Sequence, residues 1–324
     1  MAIDGNVFSS KQFELFIADQ SAMGTANSTN GEFVKLDVVS VSDVEFGGGL
    51  VQERALRSGQ QIKKLTDHYV SQKGASASLS FDWVVSHKEG LMQLMKMISE
   101  DTSSAYEMTG SFAPAIYAHG STTGELATVI VSNPNTSDDR VLHSCVLTEL
   151  TLSMDSGSEG GRLVASGTFY SGYKPTVGAS SVSPSGTETA YVETIFDCTT
   201  KQLGGNDMVA RSFSASWSYP AVRVGFQGAN GEAEQYSRSA EIVCSGSASV
   251  KYDGNSDQEL AGFLAGSSKA VTFGDGASFQ VSVPTAVYTG FNLDLGDSEE
   301  GAFVEIPFEG TATGSVNLYS VIVA

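Results

Sequence analysis

The feature that most constrains this chain is a pattern carried twice: an alternating strand, a short turn, and an amphipathic helix. Ala77-Ser78-Leu79-Ser80-Phe81-Asp82 precedes Ser86-His87-Lys88-Glu89 and the apolar run Leu91, Leu94, Met95 and Ile98. Ala248-Ser249-Val250-Lys251-Tyr252-Asp253 precedes Ser256-Asp257-Gln258-Glu259 and Leu260, Phe263 and Leu264. A period of two giving way to a period near 3.6 marks a strand leading into a helix. The S-x-x-E at each changeover reads as a capping box, in which the Ser hydroxyl accepts from the third helical N–H and the Glu reaches back. Such a cap contributes about 1 kcal/mol. The spacing predicts helices opening at Ser86 and Ser256.

A second match supports the first. Residues 146–154 and 287–295 share an i, i+2 apolar face: Val146, Leu150, Leu152 and Met154 against Val287, Phe291, Leu293 and Leu295. An acidic, glycine-containing turn follows each (155–160 and 296–301), then another strand-like run, which is the signature of a hairpin. The interval between copies shrinks from the caps to the hairpins, so the first copy carries extra residues within 100–140. These matches predict a duplicated domain of β-rich α+β class. Each copy is expected to be an antiparallel β-sandwich or partial barrel with one short helix and a long projecting hairpin loop. The expected division is 1–175, a Gly/Ser/Pro-rich linker at 176–187, and 188–324.

Composition narrows the function. With 41% apolar residues over 324 positions, the chain can fill two ordinary cores. No stretch approaches the roughly 18 apolar residues of a membrane helix. The opening Met-Ala-Ile-Asp-Gly-Asn lacks the basic and apolar regions of a secretory signal, so neither export nor a membrane site is expected. The net charge of −19 is spread over both halves, which disfavours tight binding of nucleic acid. Cys145, Cys198 and Cys244 are odd in number and widely spaced, so buried reduced thiols are expected.

No nucleophile elbow, H-E-x-x-H, phosphate-binding loop or dinucleotide fingerprint occurs, and the four histidines lack metal-ligand spacing. Asp253, Asn255, Asp257 and Glu259 resemble the start of a calcium loop, but Gln258 and Leu264 stand where Gly and Glu are required. Helix capping accounts for the same residues. The expectation is therefore no catalytic residue, no cofactor, no metal and no enzyme activity. Met92, Met95 and Met97 read as core filling, and Trp83 and Trp217 as core anchors. Segment 50–73 concentrates Arg54, Arg57, Lys63 and Lys64, whereas the corresponding interruption at 225–234 is acidic. Loops of this length inside compact domains are usually functional or disordered.

Taken together, the paired strand–turn–helix segments at 77–98 and 248–264, the paired hairpins at 146 and 287, and the domain-sized repeat resemble the duplicated tail tube proteins of bacteriophages with long non-contractile tails. The resemblance covers nearly the whole chain. It implies trimeric, pseudo-sixfold rings whose sheets join into a wide barrel, stacked into a tube within the virion and assembled in the host cytoplasm. Implied partners are further copies of the chain, the tape-measure, tail-terminator and distal tail proteins, and double-stranded DNA in passage through an acidic lumen. On this reading Arg54, Arg57, Lys63 and Lys64 contact acidic groups of an adjacent copy, with Asp155, Glu159, Asp297, Glu299 and Glu300 as candidate acceptors. The rival readings are a two-domain adhesin or receptor-binding protein, with Tyr106, Phe112 and Tyr117 as its exposed aromatics, or another ring-forming tail or secretion-system component.

Overall fold

The computed structural model describes residues 13–42, 45–47, 51–54, 68–72, 75–100, 105–109, 115–122, 124–132, 139–178, 186, 188–238, 241–294, 301–312, 314 and 316–324. In the first half these are β1 (Glu14–Gln20), β2 (Val34–Leu36), β3 (Val38–Val41), β4 (Glu45–Gly47), β5 (Val51–Arg54), β6 (His68–Gln72), β7 (Ser76–Val84), α1 (Lys88–Ser99), β8 (Ala105–Thr109), β9 (Tyr117–Ala118), β10 (Ser121–Thr122), β11 (Leu126–Ser132), β12 (Asp139–Asp155), β13 (Val164–Ser171) and β14 (Thr176–Gly178). The second half adds β15 (Thr200–Leu203), β16 (Asn206–Asp207), β17 (Ala210–Ser218), β18 (Val222–Val224), β19 (Gln235–Ser237), β20 (Val243–Lys251), α2 (Gly254–Ala265), β21 (Ser268–Gly274), β22 (Phe279–Tyr288), β23 (Asn292–Asp294), β24 (Phe303–Gly310) and β25 (Asn317–Val323). The protein is thus β-rich and antiparallel with two short helices.

One main sheet runs through both halves in the order β3/β4, β7, β13, β12, β17, β20, β24, β22/β23. Its strands alternate serine or threonine with apolar residues, so one face packs inward and the other stays polar. In β17, Phe213, Ala215 and Trp217 point into the core between Ser212, Ser214, Ser216 and Ser218. The two longest strands continue beyond the main sheet. The start of β12 pairs with β11 and β14, and β11 with β1 and then β2. The start of β22 pairs with β21 and β25, and β21 with β15 and then β16. The pairings around β12 and β22 thus run in the same order, whereas β8, β9 and β10 of the first half have no counterpart among the described strands of the second.

The halves share a core instead of each closing its own. Trp83, Phe169, Leu152, Trp217 and Tyr319 belong to one contiguous buried cluster, in which Phe213 stacks on Phe273 at 4.1 Å. Two separate cores were expected. Direct pairing of β12 with β17 leaves no boundary at which a core could end. The expected linker also begins as a strand, because β14 pairs with Asp139–Val141 of β12. Residues 179–185 and 187 lie outside the described residues.

Both helices are capped, one residue after Ser86 and three before Ser256. His87 is the N-cap of α1, its Nδ1 accepting from Gly90 N at 3.1 Å while Nε2 donates to Lys35 O. Ser86 instead bonds through its backbone, its carbonyl accepting from Tyr191 N, while Glu89 accepts from Thr189 N. In α2 the cap is Asp253, and Ser256 closes the box as its third-residue partner. Glu259 turns inward, where its carboxylate accepts from Asn206 Nδ2 at 2.7 Å and Tyr288 OH at 2.8 Å. The two caps still fall at equivalent places, directly after β7 and β20.

Between α1 and β11, where extra irregular residues were expected, the described residues include further strands. There β8 pairs with β25, and β9 pairs with β10 and β19. The acidic interruption at 225–234 does not project. Turns at Gly225, Gly228 and Gly231, all at positive φ, fold it back on the first half. There Ala75 N donates to Gly231 O, His119 N to Glu234 O, and Ala233 N to Gly172 O.

Candidate assembly interface

The polar face of the main sheet is a lattice of small hydroxyls. Ser40 bonds Asp82 at 2.6 Å, Ser80 bonds Thr168 at 3.0 Å, Thr151 bonds Ser216 at 2.8 Å, and Ser214 bonds Ser247 at 3.2 Å. Asp82, Glu149, Asp155, Glu305 and Glu309 sit in the same alternation, against Lys251 at the end of β20. The exposed carboxylates of this face outnumber the basic side chains beside them, Lys251 and Arg162, an excess that disfavours contact with phosphates.

The halves meet edge to edge. Residues 149–155 of β12 pair with 212–218 of β17, from Glu149 opposite Ser218 to Asp155 opposite Ser212. The counterparts of these strands end the sheet. By position β23 matches the end of β12, for Asp294 faces Phe303 of β24 as Ser153 faces Val164 of β13. On the other side β3 matches β17. Both carry a bulge at the same register, between Val38 and Ser40 and between Ala210 and Ser212. Among the described strands, β3 pairs only with β7, and β23 only with β24. Val39 and Leu293 are exposed there.

Of the residues singled out from sequence, Asp155 and Glu159 lie together at a concavity of about 430 Å³ on the polar face, beside Asp82 and Arg162. Asp155 accepts from Gly157 N at 2.9 Å, which shapes the turn. Arg54 ends β5, with its backbone opposite His68 of β6. Arg57, Lys63, Lys64, Asp297, Glu299 and Glu300 lie outside the described residues, as does Phe112. Tyr106 and Tyr117, the other candidate surface aromatics, are buried. Trp83, Trp217, Met95 and Met97 are buried, Met92 packs against the core, and all three cysteines are buried and free.

Sequence reasoning missed the residue that ties the halves together. Arg238 leaves β19 and crosses to the first half, where Nη1 pairs with Glu100 at 3.1 Å and reaches Met97 O. Its Nη2 donates to Leu147 O and Tyr219 O, and its guanidinium lies 4.0 Å from the Tyr219 ring centroid. Burial, the largest influence, pushes the Tyr117 phenol above its ordinary range, so it remains a neutral donor to Glu100. A lone arginine between two serines carries no sequence signal for this role.

Among the described residues no three His, Cys, Asp or Glu side chains converge to hold a metal, and no helix is long and apolar enough to cross a membrane. No protein-family model matches the chain, and a search of curated proteins finds no match either.

Proposed function

We propose that the chain is a duplicated structural subunit that joins copies of itself edge to edge into rings, and that these stack into a hollow tube of the phage tail type. On this reading it is a virion component and not an enzyme, its lumen is the hydroxyl-rich acidic face, and DNA passes through without binding tightly. Tape-measure, terminator and distal tail proteins are the proposed partners.

The observation that carries this reading is the β12–β17 junction. The chain uses it once internally, and among the described strands the two equivalent edges, β23 and β3, carry no second partner. Leu152 at the internal junction is fully buried, whereas Leu293, its counterpart, is 41% exposed. Open edges are liabilities in a monomer and become the bonding surface when a ring closes.

Strand geometry supports three or more copies. Eight strand positions per chain at about 4.8 Å spacing make a three-copy barrel roughly 37 Å across, and about 45–50 Å with ordinary tilt. Subtracting about 5 Å of side chain on each side leaves room for a duplex roughly 20 Å wide. A two-copy barrel, about 24 Å across and about 30–33 Å with the same tilt, leaves about 14–23 Å, at most a close fit to the duplex.

The basic arm fits the same scheme. The β5–β6 ribbon occupies the place in chain order that β18–β19 occupies in the second half, and β19 lies across the neighbouring half. By the same relation the arm reaches a neighbouring copy, where Arg54, Arg57, Lys63 and Lys64 meet acidic groups. Burial of Tyr106 and Tyr117 weighs against the adhesin reading.

Negative-stain microscopy of the purified protein at increasing concentration tests the proposal. Rings or tubes of uniform width are expected. A protein that stays monomeric at every concentration would overturn it.

A further inference from the structure

We infer that helix α2 of one copy docks on β14 of the next copy in the ring, making a second contact outside the barrel wall. The inference rests on the ring reading above and adds a partner surface to it.

The two helices occupy equivalent places but meet different surroundings. Helix α1 lies against β1, β2 and β12 of its own half and also against β25 of the other half and β8. It buries Leu91, Leu94, Met95, Met97 and Ile98. Helix α2 lies against β16 and β22 of its own half, and the residues it buries are Ser256, Glu259 and Gly262. Ile98 and Leu264 hold the same position in their helices, yet Ile98 is 1% exposed and Leu264 75%. Leu260 and Phe263 of α2 are only partly buried, Phe263 against the core, and Leu264 is left facing outward, so the apolar stripe of α2 is incompletely covered within one copy.

The strand covering α1 has a counterpart with the complementary anomaly. Strand β25 pairs with the start of β22, as β14 pairs with the start of β12. Val321 stands opposite Val281 in the first pair, and Val177 stands opposite Arg140 in the second. Val321 is fully buried, while Val177 is 63% exposed.

The internal junction supplies the geometry. Pairing of β12 with β17 is the arrangement in which β25 of the second half lies on α1 of the first. Pairing β23 of one copy with β3 of the next repeats that relation, and carries β14 of the next copy onto α2. Leu264 and Val177 are then the two apolar positions that this contact covers. The occupant of the exposed helix face is therefore a second copy of this chain, approached from one side only.

A double variant, Leu264→Cys with Val177→Cys, tests the contact in the full-length protein. The native cysteines are buried, so mild oxidation acts on the introduced pair. A ladder of disulfide-linked species up to the ring's copy number is expected, and no ladder from either single variant. In parallel, Leu264→Asp should raise the concentration needed for assembly about tenfold or more, since it removes a leucine from an interface. Its monomer should melt like wild type, because Leu264 is exposed there. If rings form but the double variant gives no ladder and Leu264→Asp assembles normally, this contact is wrong and the ring reading stands. Failure of the wild type to assemble overturns both.

Discussion

The Arg238 guanidinium pairs with the Glu100 carboxylate at 3.1 Å, with both side chains buried and each drawn from a different half of the chain. Glu100 is the C-cap of α1 in a left-handed conformation and also accepts from Ala115 N and Tyr117 OH, so the pair ties the helix end, these two residues and the second half together. Removing one partner leaves an uncompensated buried charge. Arg238→Met is therefore expected to cost about 3–5 kcal/mol in chemical denaturation. The double variant with Glu100→Gln should cost less than the sum of the two single changes.

A second buried carboxylate makes stability depend on pH. Glu193 lies in the segment that bonds Ser86, Gly161 and Leu163 on its way into the second half. Burial first, then the nearby Asp275 and Asp197, raises its carboxyl from the ordinary 4.5 to about 7. Three backbone N–H groups, from Ala277, Ser278 and Phe279, outweigh the burial of Asp275 and keep that neighbour ionised. The fold thus favours neutral Glu193. Its contribution is complete below about pH 4.5 and is lost as pH rises through about 7. Thermal melts should show Glu193→Gln raising Tm at pH 8 and changing little at pH 4.

Close packing at one glycine in the main sheet gives a third expectation. A Cβ on Gly246 would stand 2.2 Å from Ser214 O and 2.5 Å from the Phe308 ring. Ser214 belongs to the neighbouring β17 backbone, so the clash cannot be relieved by a rotamer change. Gly246→Ala should destabilise by about 1–3 kcal/mol in urea titrations. Gly254→Ala, where nothing lies within 4 Å, is the control and should be neutral or better.

Charge reversal in the basic arm separates assembly from folding. Replacing Arg54, Arg57, Lys63 and Lys64 by Glu should abolish or shorten tubes seen by microscopy. The far-ultraviolet circular dichroism and melting temperature of the monomer should be retained. Wild-type tube lengths from this variant would remove the arm from the interface.

Much of the strand content was legible because its signal is local. The Ser/apolar alternation of 210–218, the paired hairpins and the closing strand at 317–323 need only the two-residue period of a pleated sheet to be recognised. The helix starts were legible as places but not as residues. Neighbouring polar side chains compete to cap, Ser86 with His87 and Asp253 with Asn255 and Ser256, and the segment that bonds the Ser86 carbonyl comes from about a hundred positions further on. The 225–234 turn was misread as projecting for a related reason. Its Gly-rich sequence specifies turns, but Ala75, His119 and Gly172, on which it docks, are invisible from within it.

By itself the sequence determined a β-rich chain, two helices that each follow a strand, acidic charge throughout and no catalytic motif. All of these follow from residue type and near-neighbour spacing. Only the tertiary structure decided that the halves share one sheet and one core, that Arg238 clasps them, and that β3 and β23 each pair with a single strand among the described residues. Strand partners, burial and unpaired edges depend on contacts between residues far apart in the chain, and no local pattern encodes which distant strand will lie alongside.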